Sequence, residues 1–135
     1  MQAAPDRLGY FDISWRTSIM LLRTTFVLLA LGAAPAAAEL RLMMIEQPGC
    51  VWCEAWDREV APVYDRTAEG QAAPLVRQQL RADLPEGVSL ARPATFTPTF
   101  VLTEDGHEVG RIEGYPGDSF FWALLGQMLA GRPEG

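Results

Sequence analysis

The stretch "PGCVWCEAW" holds both cysteines of the chain, Cys50 and Cys53, two residues apart. A bridge between them closes a very short loop, so loop-closure entropy gives it little value as a staple. C-x-x-C suits metal binding or reversible thiol–disulfide exchange instead. The pair sits where a strand pattern gives way to a helix pattern. "ELRLMMIEQ" reads as a buried strand, Pro48-Gly49 break it, and a helix is expected from Cys50 to about Arg66. Cys53, Trp56, Val60 and Val63/Tyr64 form its apolar stripe, with a kink expected near Pro62.

The N-terminal third is of another kind. "MLLRTTFVLLALGAAPAAAEL" has an arginine, an apolar run and then Ala36-Ala37-Ala38, the order of a secretory signal peptide. Its apolar core is about 11 residues, short for a membrane span. Residues 1–38 are therefore expected to be a cleaved signal, with 39–135 as one domain; a retained anchor is the other reading. Two aspartates before Met20 are poor signal chemistry, so Met20 is the better start. Export places the cysteines outside the cytoplasm, in an oxidising setting where a disulfide is favoured. The formal net charge of −6, with no lysine, excludes the basic footprint of a nucleic-acid binder.

"PLVRQQLR" reads as a second strand, and "ADLPEGVSLARPATF" is irregular with room for one short helix. Phe100–Thr103 and Glu108–Glu113 flank Asp105-Gly106, a dipeptide of tight hairpin turns. Asp118 or Ser119 can cap a last helix, with Phe121, Leu124, Leu125, Met128 and Leu129 as its stripe and Phe120, Phe121 and Trp122 expected in the core. The order predicts an α/β fold with a mixed sheet and helices on both faces.

C-V-W-C at a strand–helix junction, "FTPTFVL" opening the third strand and the D-G hairpin together resemble the thioredoxin fold: a mixed four-stranded sheet, β-α-β-(α)-β-β-α. The resemblance implies that Thr97-Pro98 is cis and lies against the cysteines. "GCVWCEAWDREVAPVY", "AEGQAAPL" and "RIEGYPGDSFFWALLGQML" are similar to the periplasmic thioredoxin-like proteins of bacterial sulfur-oxidation (Sox) systems, the SoxS type. That implies a thiol–disulfide reductase cycling a Cys50–Cys53 dithiol and disulfide, with no other cofactor. The implied substrate is a protein disulfide, such as one on a sulfur carrier of that system. The chain has no dinucleotide fingerprint, so electrons are expected from another protein, a membrane donor. A monomer is expected.

Cys50, at the helix start, is the expected nucleophile, and Cys53 the resolving thiol. Val51, Trp52, Thr97 and Pro98 are expected to meet the substrate, with Gly114 and Tyr115 as the other wall; packing of Trp52 on a loop and of Tyr115 at the core rim are the other readings. Several positions depart from ordinary thioredoxin. Val51-Trp52 replaces Gly-Pro, Gly49 replaces a tryptophan, and Met44 stands where a buried aspartate is usual. Glu46 and Glu54 are nearby carboxylates, expected to be solvated. No arginine lies near Cys50 in sequence, so a moderate reductant is expected. Zinc would need His107 with the pair and is disfavoured, since His107 follows a turn. The competing function is a non-enzymatic binding module with a structural C-x-x-C bridge.

Overall fold

The computed structural model describes residues 37–132. The expected signal peptide and the expected Met20 start lie outside the described residues, except for Ala37 and Ala38. Four strands form one sheet: β1 (Leu40–Glu46), β2 (Leu75–Gln79), β3 (Thr99–Glu104) and β4 (His107–Glu113). Their order is β2-β1-β3-β4. β1 runs parallel to β2 and antiparallel to β3, which pairs antiparallel with β4. The sheet is mixed because a crossover joins β1 to β2 while a two-residue turn joins β3 to β4.

The strand alternation divides the core. Leu42, Met44, Phe100 and Leu102 face one side and pack with Trp56, Tyr64, Phe121 and Leu125. Met43, Ile45 and Val101 face the other. Helices α1 (Val51–Glu59), α2 (Ala61–Tyr64) and α4 (Asp118–Ala130) bury residues in the first cluster. Trp56 is its centre, with the rings of Tyr64, Phe100 and Phe121 at 5.5–5.9 Å from its own.

The expectation of helices on both faces is corrected here. No helix forms between β2 and β3. Leu80, Val88, Leu90 and Ala94 of the irregular segment cover Met43, Ile45 and Val101 instead. Pro85, Gly87 and Pro93 interrupt any helical run there. A cleft of about 480 Å³ remains against Met43 and Val76, walled by Pro85 and Val88.

The helix expected over 50–66 is broken. Val60 caps both α1 and α2, because Pro62, in the first turn of α2, has no N–H to continue the ladder. A further short helix, α3 (Ala68–Ala72), starts where Thr67 Oγ1 accepts from Gly70 N. The hairpin forms as expected. Asp105 and Gly106 take φ of +50° and +82° between paired Glu104 and His107. Two positive φ values are the geometry of a primed turn. Gly106 also lacks room: a Cβ there would lie 2.2 Å from the Gly87 carbonyl oxygen.

Candidate functional site

Pro48-Gly49 turns the chain out of β1, with Gly49 at φ +73°. Cys50 then caps α1 in extended conformation, and its Sγ accepts a hydrogen bond of 3.1 Å from Cys53 N. The two cysteines are disulfide-bonded, with Cα atoms 5.2 Å apart. Cys50 is 9% exposed and Cys53 4%. The capping sulfur therefore faces unpaired N–H groups and the positive end of the helix dipole, which stabilise an anion there.

The Thr97–Pro98 peptide bond is cis. Ile45 pairs with Thr99, so the register carries Pro98 to the end of the sheet from which the Cys50 loop leaves. Gly114, at φ +83°, donates its N–H to Pro98 O at 2.8 Å. Cys50, Val51, Trp52, Cys53, Thr97, Pro98, Gly114 and Tyr115 thus gather at one end of the sheet. Val51 and Trp52 are 68% and 62% exposed, while the Pro98 side chain is fully buried. Trp52 therefore points to solvent rather than packing on a loop.

Tyr115 takes the core-rim place of its two expected ones. It is 8% exposed and packs against Phe121, so it supports the site from the core and is not an open wall. Its hydroxyl donates to Glu59 Oε2 at 2.6 Å. Burial, with Glu59 adding to it, pushes its pKa well up, so it stays a neutral phenol.

Glu46 is not simply solvated. Arg77 binds Glu46 Oε2 at 2.7 Å and Asp57 Oδ1 at 2.5 Å, and its guanidinium lies 5.7 Å from the Trp56 ring centre. Glu46, Glu54 and Asp57 line a cleft of about 250 Å³ beside Cys50 and Cys53. An arginine thus reaches this neighbourhood from β2, invisible in the sequence around Cys50. The Asp57 hydrogen bond holds Arg77 above its ordinary pKa, so its charge is permanent. Among the described residues no group of three His, Cys, Asp or Glu could hold a metal ion. His107 Nδ1 instead lies 2.8 Å from Ser89 Oγ.

Sequence reasoning missed two exposed aromatics. Phe120, expected in the core, is 69% exposed, and Phe96 is 63% exposed. With Val51 and Trp52 they are the only described large apolar side chains more than 60% exposed. All four lie on segments flanking the disulfide end of the sheet. Phe120 could have been placed by period, since Phe121 and Leu125 mark the buried stripe and Phe120 falls beside it.

A family model described as a thioredoxin-like domain matches residues 29–129. The chain belongs to the thioredoxin-like family. It is similar to a solved structure, the periplasmic thioredoxin SoxS from Paracoccus pantotrophus in its reduced form. The two share 58% identity at a TM-score of 0.67, over 68% of this chain and 97% of that one. Among curated proteins none matches. The chain is a SoxS-type, periplasmic member of the thioredoxin-like family.

Proposed function

We propose that this chain is a periplasmic thiol–disulfide oxidoreductase that reduces a disulfide on a partner protein. The observation that carries the reading is the Cys50 sulfur at the N-cap of α1, receiving the Cys53 N–H at 3.1 Å. In the reduced form a Cys50 thiolate attacks one sulfur of the partner's disulfide. That S–S bond breaks, a Cys50–partner bond forms, and the released partner sulfur takes a proton. Cys53, deprotonated, then attacks Cys50 and expels the second partner thiolate. Two electrons have passed to the partner, and Cys50–Cys53 is a disulfide again.

Val51 and Trp52, exposed between the cysteines, with Phe96 and Phe120 exposed on flanking segments, favour a protein substrate over a small one, since exposed aromatic and apolar side chains serve protein contact. A disulfide-bearing sulfur carrier of a sulfur-oxidising system fits the SoxS likeness. Because the chain holds no nucleotide fingerprint, a second protein, in or at the membrane, returns the electrons. A monomer exposing this surface would meet both partners in turn.

Trapping tests it. Cys53→Ser, incubated with periplasmic extract, should hold a mixed disulfide through Cys50 that dithiothreitol releases. A non-enzymatic module with a structural bridge is the outcome if no adduct forms and the reduction potential lies below about −300 mV.

A further inference from the structure

The segment from Leu80 to Pro98 has almost no regular structure, yet it ends in the Thr97–Pro98 loop. Its downstream half is fastened to β4. Ser89 N donates to Gly106 O, and Glu108 N donates to Ser89 O. Ala91 N donates to Glu108 Oε2 at 2.8 Å. Arg111 Nη2 donates to Arg92 O at 2.7 Å. Arg92 in turn binds Glu113 at 2.8 Å.

Two residues run this network. Arg111 holds Glu108 through Nε and Nη2, both at 2.8 Å. Their side chains are only 6% and 8% exposed, although they sit on an edge strand. Arg111 Nη1 is buried without a hydrogen bond, 3.5 Å from Glu113. A buried ion pair is a poor source of stability, because desolvation offsets its attraction. Here each member also reaches the backbone of the loop, Arg111 through the Nη2 it shares with Glu108 and Glu108 through the Oε2 it shares with Arg111. Such an arrangement fixes a position.

We propose that the Glu108–Arg111 pair is a clamp that sets the position of residues 89–98, making Arg111 a positioning residue for the groove formed at Thr97 and Pro98. This rests on the thiol–disulfide reading. The groove would be competent for an extended protein substrate only while the clamp is closed. A small disulfide needs only the sulfurs. Loss of the clamp lowers the competent fraction, and apparent affinity for a protein falls by that fraction.

The test compares the reduced wild type, Arg111→Lys and the double variant Glu108→Leu/Arg111→Met, using insulin as a protein disulfide and oxidised glutathione as a small one. Arg111→Lys keeps the charge but not the fork that serves Glu108 and Arg92 together. The double variant replaces the pair by apolar volume, a change buried pairs commonly tolerate, and the freed backbone groups belong to exposed residues. KM for insulin should rise roughly tenfold in the double variant if a tenth of the population stays competent, and less in Arg111→Lys. Rates on glutathione should not change, and amide protection at Phe96, Thr97 and Thr99 should fall. Unchanged KM for insulin, or equal losses on both substrates, would overturn the clamp. A wild type that reduces neither substrate would instead defeat the redox reading. Amide exchange would then decide the clamp alone, unchanged protection overturning it.

Discussion

The Tyr115 hydroxyl donates a hydrogen bond to Glu59 Oε2, tying the loop after β4 to the last turn of the helix that begins at the disulfide. Tyr115→Phe keeps the ring against Phe121 and removes only this bond. It should cost about 1 kcal/mol, because Glu59 can turn to water. The pH dependence follows from the raised pKa of Tyr115. The folded value lies above the unfolded one, so the neutral phenol contributes fully below about pH 10 and its contribution is lost as pH rises further. Melting curves of wild type and Tyr115→Phe should converge in strong alkali. A constant gap would contradict this.

Cys50 should be the faster thiol. It caps the helix and is the more exposed of the two. Iodoacetamide on the reduced protein near neutral pH should label Cys50 first, read by peptide mass spectrometry. Equal labelling would remove the basis for calling Cys50 the nucleophile.

Trp52→Ala should leave the melting temperature unchanged, since the ring is 62% exposed. Interface tryptophans commonly carry 2 kcal/mol or more, so kcat/KM for a protein disulfide should fall about thirtyfold. Turnover of oxidised glutathione should be unaffected. A matching loss on both substrates would place Trp52 in the chemistry instead of the docking surface.

Gly106→Ala should destabilise by about 1–3 kcal/mol. Its φ of +82° strains any side chain, and the new Cβ would meet the Gly87 carbonyl at 2.2 Å. Urea titration gives the figure directly, and a neutral result would mean that the Gly87 turn moves freely.

Acid should loosen the segment before Pro98. The Arg111 hydrogen bond, with that of Ala91 N, holds the Glu108 pKa below its ordinary value. For a depressed carboxylate the stabilisation is present above the unfolded pKa, about 4.3, and is lost as pH falls through the folded one. Amide exchange near Ala91, corrected for intrinsic rate, should accelerate below about pH 4. Protection that persists there would show that Glu108 does not hold this turn.

Local chemistry was legible where it acts at short range. Asp105-Gly106 announced its turn because only a few residue types accept positive φ at two successive positions. The cysteines announced themselves by spacing and by the strand–helix switch around them. Long-range choices were hidden. Nothing in "ADLPEGVSLARPATF" says that it will close a sheet face without a helix, since that depends on Met43, Ile45 and Val101 waiting beneath. Arg77 lies 27 positions after Cys50 in number but reaches Glu46 and Asp57 beside the disulfide through strand pairing. A kink near Pro62 was legible but the full break was not, and the side taken by Tyr115 stayed open because a loop aromatic can turn either way.

The Ser89–Arg92 fastening also divides its loop into two mechanically separate halves. Upstream, residues 81–87 are exposed and lean over an open cleft. Downstream, only residues 93–98 separate the fastened Arg92 from β3. A residue inserted near Glu86 would be absorbed before Ser89 and never felt at Pro98. The same insertion at Pro93 would be passed straight to the groove. Length variation in this chain is thus permitted on one side of a four-residue boundary and forbidden on the other.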